Sequence, residues 1–246
     1  MKHWFSTGSV IWVILHIVMF ITGVALMDSE SLAEQIGDGA ADAVGSSLIA
    51  TAVAGIILFI HVRRSDALQD QILLLNRIGL VSVFEKRAAN IKHEYDARLA
   101  NAKEIDVIGW GLSSFREDYG DQFTVWAAKA KVRILLVDPD FPSENASIAD
   151  IRDGEEARPQ GDIRRHVEAF QRKVVEAGLA ENLNFHVRLM KSIPAINLLR
   201  ADDEIFWGPY LMKSQSRNTP TLLVRRGGFL FSALKDHFEA VWDRSA

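Results

Sequence analysis

The chain has 246 residues, 48% of them hydrophobic and 24% charged, with 28 Lys+Arg against 32 Asp+Glu. It contains no cysteine, which excludes a disulfide scaffold, a cysteine-ligated zinc site, an iron–sulfur centre and a cysteine nucleophile. Its mean hydropathy of +0.05 is high for so charged a chain, so the apolar residues must be concentrated somewhere.

They are concentrated at the N-terminus, where residues 1 to 62 hold one basic residue, Lys2, and five acidic ones. Val10 to Met27 is an apolar run of 18 residues broken only by His16, Thr22 and Gly23, with Trp4, Phe5 and Trp12 at one end and Asp28 at the other. At 1.5 Å per residue it reaches roughly 27 Å, close to a hydrocarbon core. Ala43 to Val62 is a second run, of 20 residues, ending at Arg63 and Arg64. Both are expected to be transmembrane helices, with the lipid bilayer as partner. A cleaved signal peptide competes for the first run, but the run is too long and the cleavage pattern around Gly23 and Ala25 too poor. The hairpin loop from Asp28 to Asp42 holds Glu30, Glu34 and Asp38 and no Lys or Arg. With Lys2, Arg63 and Arg64 on the other side, the positive-inside rule puts both termini in the cytoplasm of an inner-membrane, multi-pass protein.

Ser47, Thr51 and Gly55 follow one another at four-residue spacing, with Ser46, Ala50 and Ala54 beside them. Small residues so spaced let helices approach closely, and the expectation is that this face packs in the hairpin or lines a lumen. His16, a polar ring in hydrocarbon, is expected to bond a serine or threonine of the other span.

Residues 63 to 79 read as a helical connector, with Leu68, Ile72 and Leu75 forming an apolar seam suited to a short coiled coil, so a homo-oligomer is expected. The remainder, 80 to 246, reads as one α/β domain: a mixed sheet covered by helices on both faces. In chain order the periodicity predicts a strand at Leu80 to Phe84, a helix at Glu85 to Lys103, a strand at Ile105 to Trp110 and a helix at Ser113 to Lys129. A strand at Val132 to Val137 precedes a polar loop, Asp140 to Gly161. Then come a helix at Asp162 to Ala177, strands at Asn184 to Met190, Ala195 to Arg200, Glu204 to Trp207 and Thr221 to Arg225, and a closing helix at Phe231 to Arg244.

Gly109-Trp110-Gly111-Leu112-Ser113-Ser114 joins a strand to a helix and carries the first two glycines of a dinucleotide fingerprint. The third is replaced by Ser114, so a nicotinamide cofactor is not expected, and no other cofactor is. The geometry still offers backbone N–H groups and two hydroxyls to an anion. Arg116 follows that turn, Lys191 ends a strand, and Tyr210, Lys213, Ser214 and Arg217 follow Gly208-Pro209. Arg152, Arg158, Arg164 and Arg165 flank the polar loop. Cations and aromatics converging on strand ends suit a nucleotide or phosphorylated ligand. Asp202-Asp203-Glu204 reads as an exposed turn, with no metal site expected, and Trp110, Trp207 and Trp242 as core.

Four segments in order, Ala102 to Leu112, Val132 to Pro139, Ala201 to Tyr210 and His237 to Trp242, resemble the phospholipase D-like fold in its short, single-domain bacterial branch, over about residues 80 to 244. Active members of that family use H-x-K-x4-D, the histidine attacking phosphorus. None of the seven histidines here has a lysine two residues on, and Ser192 to Asn197, where the motif belongs, offers no side chain that can attack phosphorus. The resemblance therefore implies a phosphate-ester fold without its nucleophile and no catalytic residues.

Two-span proteins with a cytoplasmic sensor resemble the membrane effectors of bacterial antiphage systems, including those that use cyclic oligonucleotides. The leading expectation is an effector whose domain binds a nucleotide-type second messenger and drives oligomeric rearrangement or membrane permeabilisation. The alternatives are a tethered phosphodiesterase or nuclease using His186 or His237, and an anchor that recruits a protein. The C-terminal part is balanced in charge with no global basic bias, so duplex DNA is not expected as a partner.

Overall fold

A computed structural model describes residues 7–29, 38–85 and 87–245, in two compact units, Met1–Leu73 and Leu74–Ala246. Lys2, Trp4, Phe5, Glu30 and Glu34, on which the topology expectation leans, lie outside the described residues.

The first unit is built on two helices, α1 (Thr7–Met27) and α2 (Asp38–Ile78). Both are long and apolar enough to cross a membrane. The second span and the connector, expected as separate pieces, form one helix of 41 residues. Neither glycine nor proline interrupts Ile56 to Ile78, and Arg63-Arg64 are good helix formers, so nothing ends the helix where hydrophobicity stops.

The contact between the two helices is made by glycines and alanines. A Cβ on Gly23 would sit 2.8 Å from the Gly45 carbonyl, and one on Gly45 would sit 2.7 Å from the Gly23 carbonyl, so the backbones touch. Ala52 is fully buried and Ala41 nearly so. Gly55 belongs to this seam, as a seat for the His16 ring. Ser47 and Thr51 do not: both are exposed, and their hydroxyls donate to the carbonyls of Ala43 and Ser47, each at 2.7 Å. The expected face is thus rotated, because a helical hydroxyl finds an acceptor one turn back and needs none across the interface. His16 is corrected too. Its Nδ1 bonds the Trp12 carbonyl at 2.8 Å, within its own helix, and its ring stacks on Trp12 at 3.6 Å.

The second unit is organised on seven strands, β1 (Leu80–Phe84), β2 (Glu104–Gly109), β3 (Lys131–Val137), β4 (Phe185–Met190), β5 (Ile196–Ala201), β6 (Glu204–Pro209) and β7 (Thr221–Arg225), in spatial order β1-β7-β6-β5-β2-β3-β4. β2, β3 and β4 are parallel and the other pairings antiparallel, so the sheet is mixed. The helices are α3 (Arg87–Leu99), α4 (Ser113–Tyr119), α5 (Phe123–Lys129), α6 (Ile148–Glu155), α7 (Asp162–Glu176) and α8 (Phe229–Arg244). β2 and β3 are buried on both faces, which accounts for their apolar runs.

Side chains on a strand alternate between faces. Phe206 takes Tyr95 of α3 edge-on, with ring centroids 4.6 Å apart, so α3 covers one face. Phe123 of α5 meets Phe185 and Phe170 on that same side. The opposite face, under α8, carries charge. Asp106 sits beside Arg133 and Arg200 in cross-strand register, at 2.7 and 2.5 Å, and the two arginines reach out to Glu239 and Glu104, each at 2.7 Å. Phe238 and Trp242 of α8 cover Arg133, at 4.7 and 5.5 Å from its guanidinium. A slip of one residue would turn this row to the other face, so it fixes the register of three strands.

Two local expectations change. The predicted helix Ser113 to Lys129 breaks at a 3-10 turn, Gly120–Gln122, where a Cβ on Gly120 would come within 2.9 Å of Lys173. The predicted polar loop contains α6, capped by Ser147, whose Oγ accepts from the Ala149 N–H at 3.0 Å.

Candidate functional site

The glycine turn after β2 lies at the C-terminal edge of the sheet. Its conformation depends on packing: Leu112 is left-handed at φ 49°, and its side chain fills the space a Cβ on Gly109 would need. A Cβ on Gly111 would lie 2.7 Å from the His166 Cβ, so Gly111 lets α7 sit on the turn. Both glycines are explained by close contact within the protein, and the dinucleotide fingerprint gains nothing from them.

Two clefts flank this turn. One, about 340 Å³, lies between α3, α4 and β5; its walls are apolar and aromatic, with Ile91, Tyr95, Leu112, Phe115 and Tyr119, and its polar groups are Lys92, Ser114, Asn197 and Arg217 together with the carboxylates Glu117 and Asp118. The other, about 380 Å³, lies between the turn and the α6–α7 segment and is lined by Gly111, Ser113, Ser114, Arg158, His166, Tyr210, Gln215 and Arg217 among others. Leu112, Ser114 and Arg217 border both.

The structure thus brings Gly111, Ser113, Ser114, Tyr210 and Arg217 together, with Gly109 behind them. Arg116, Lys191, Lys213 and Ser214 line neither cleft. Arg116 pairs with Glu117 at 3.2 Å, and Lys191 and Lys213 are exposed. Arg152 is corrected from ligand contact to strut: its side chain is only 4% exposed. Its guanidinium meets Glu155 at 2.9 Å and Glu156 at 2.7 Å and donates to the carbonyls of Leu211 and Ser214 at 3.2 and 3.1 Å. It lies under Tyr210, 5.5 Å from the ring centre, and so fixes the 211–214 segment and that aromatic together. Its length and charge suggested a ligand, but helical spacing to Glu155 and Glu156 predicts the pairing.

Arg158 is bound to Glu156 at 2.7 Å and Asp162 at 3.3 Å, and Arg164 to Asp140 at 2.5 Å. Burial raises the Asp162 carboxyl, yet His166, Arg165 and Arg158 together hold it below the usual carboxylate range. Burial pushes Asp153 up, although its carboxylate accepts the Ile163 N–H. Burial, then the hydrogen bond to Asp96 at 2.8 Å, raises the Tyr119 phenol, keeping it neutral. Arg217 stands apart: among the described residues no carboxylate pairs with it, and it is exposed between the two clefts.

His166, Asn197, Lys92 and Gln215 were not singled out from sequence. The Asp162–His166 spacing at a helix start was the available signal for one of them. Asn197 is buried and donates to the Gly208 carbonyl at 2.9 Å. His186 and His237, named for the enzymatic alternative, line neither cleft. The acidic turn is spent internally: Asp202 accepts the N–H groups of Lys103 and Glu104, Asp203 pairs with Arg226 and Glu204 with Arg98. Among the described residues no cluster of three or more such ligands could hold a metal.

The chain reaches the sheet from the other side. Gly79, at φ +83°, joins α2 to β1, and its carbonyl accepts the Arg225 N–H at 2.9 Å. β1 runs parallel to β6, so the chain enters β1 at the sheet edge opposite Tyr210 and the clefts.

No family model and no curated protein matches the sequence. Among solved structures the chain is similar to TrmBL2, an archaeal chromatin protein described as showing a novel mode of DNA binding, at 12% identity and a TM-score of 0.42, over 81% of this chain and 70% of that one. This finding overturns the expectation that duplex DNA is not a partner, and that exclusion is withdrawn. At so low a score the likeness carries no argument for DNA binding either.

Proposed function

We propose that this chain is a membrane-anchored effector whose cytoplasmic domain binds a nucleotide-type, phosphate-bearing ligand at the clefted sheet edge and converts binding into rearrangement of the spans. The observation that carries the reading is Arg217. The other arginines around the clefts are committed to carboxylates, whereas Arg217 lies between an aromatic cleft and a polar one. Tyr95, Phe115 and Tyr119 offer a base apolar surface, while Ser113, Ser114 and Arg217 offer a phosphate donors and charge.

The order of the four segments supports a phospholipase D-like fold. Aligning Asp202 with the aspartate of H-x-K-x4-D puts Ala195 and Asn197 in place of the histidine and lysine. Binding without turnover follows from that pair. Two apolar helices support the membrane assignment, and the antiphage role rests on architectural analogy. A ligand drives such a change only by binding one arrangement more tightly than the other.

The test is a thermal-shift screen of the full chain in nanodiscs against cyclic di-, tri- and tetranucleotides and linear oligoadenylates. Ligand at about 100 times its Kd adds roughly 2.7 kcal/mol to stability. A shift with one class that disappears in Arg217→Ala is the expected result. No shift with any class, in protein that melts cooperatively, overturns the reading.

A further inference from the structure

Among the described residues one side of α2 has no partner, and its sequence indicates what covers it. α1 occupies the side bearing Ala41, Gly45, Ala52 and Gly55. A neighbouring side, about 100° round the helix, read in strictly alternating steps of three and four residues, begins with Val44, Ser47, Thr51 and Ala54 and crosses the end of the apolar run at Leu58 and His61. The same alternation continues through Ser65 to Leu68, Ile72 and Leu75. Ser65 is half-buried and all the others are exposed. Leu68 and Ile72 are 59% and 56% exposed beyond Arg63-Arg64, where the segment meets water.

Alternation of three and four is the heptad. A straight helix drifts about 20° per heptad from this period, so the row stays on one side only when the helix supercoils around a partner. Ile72 falls at the a position and Leu68 and Leu75 at d, the combination that favours two parallel strands. Two copies inserted the same way in one bilayer present their α2 helices parallel. The flanking e and g positions of the water-exposed part are Arg64, Gln69, Gln71 and Asn76, so no like charges face each other across the seam. Within the apolar part, Ser47 and Ala54 at d keep the backbones close.

We propose that α2 pairs with α2 of a second copy as a parallel two-stranded coiled coil in one register from Val44 to Leu75. The proposal rests on the reading of α1 and α2 as spans. It differs from a short connector coil in that the membrane and cytoplasmic parts share one interface, on the face beside the one that α1 occupies.

The absence of cysteine makes the test direct. Single substitutions Ser47→Cys, Leu68→Cys and Ile72→Cys on the seam, and Asp70→Cys and Leu73→Cys off it, are made in the full chain and oxidised mildly in native membranes. Leu73 is 65% exposed, so it separates register from mere exposure. The expected result is a disulfide-linked dimer at the three seam positions and none above background at Asp70 and Leu73. An equal yield at all five, or no dimer at Leu68 and Ile72, overturns the proposal. Alkaline carbonate extraction of the same membranes reads the underlying assignment separately: a chain released by carbonate is not spanning, while a retained chain with a flat crosslinking profile overturns the seam alone.

Discussion

Arg152→Met tests whether this residue is a strut or a ligand contact. In the folded chain its guanidinium is nearly inaccessible, and it satisfies Glu155, Glu156 and the carbonyls of Leu211 and Ser214. Methionine keeps much of the volume under Trp110 and Tyr210 but removes all four partners. Breaking a buried charged pair by removing one member costs about 3–5 kcal/mol, because the other is left uncompensated. Arg158 also holds Glu156, so the lower end, about 3 kcal/mol, is expected. For a domain of this size each kcal/mol moves Tm by about 2–4 °C, which puts the expected fall at roughly 6–12 °C. Differential scanning fluorimetry on the six tryptophans reads it in ligand-free protein. A Tm within about 2 °C of the parent, less than 1 kcal/mol on that conversion, would refute the strut and return Arg152 to the ligand side.

Two further outcomes follow from other parts of the domain. The Arg200 hydrogen bond holds Glu104 below the usual carboxylate range, and the Arg133 hydrogen bond does the same for Glu239, each against the opposing effect of burial. Carboxylates depressed in the folded state contribute stability above their ordinary pKa of about 4.3 and lose it as pH falls through the depressed values. Tm should therefore hold between pH 7 and 5 and drop below about 4, with a shallower drop in Glu239→Gln; an unchanged slope in that variant would count against the network. Gly111→Ala should lower Tm by overpacking, at about 1–3 kcal/mol, since its Cβ would lie 2.7 Å from the His166 Cβ; an unaltered melting curve would mean that α7 is not seated on the turn.

Elements whose apolar residues recur regularly were legible in the sequence. β1 and β7 fall where the pattern puts them, because a five-residue segment rich in Leu and Val, bounded by Gly79 or by Pro220 and Gly227, allows little else. α6 was not legible: its eight residues hold Ile148, Ala149 and Ile151 and are otherwise polar, and its stability derives from a serine cap and from the Arg152 contacts to a segment some sixty positions away. The small-residue face was misjudged for a similar reason. Ser47 and Thr51 satisfy the same spacing rule as Gly45 and Ala52, and only the position of α1 separates them. At the candidate site, the glycine turn and Arg217 could be read from strand ends. The commitments of Arg152, Arg158 and Arg164 depend on which carboxylates the fold brings within reach, which a one-dimensional pattern does not encode.

The junction at Gly79 has a mechanical consequence. A single residue separates the last turn of α2 from the first residue of β1, and that residue is clasped between the Arg225 carbonyl and Gly228, both within about 3 Å of where its side chain would be. Such a joint has no room for a side chain, and its φ of +83° suits glycine. Any residue put in place of Gly79 would have to push the turn between β7 and α8 aside, so the entry to the first strand and the exit from the last are locked to each other at this one position.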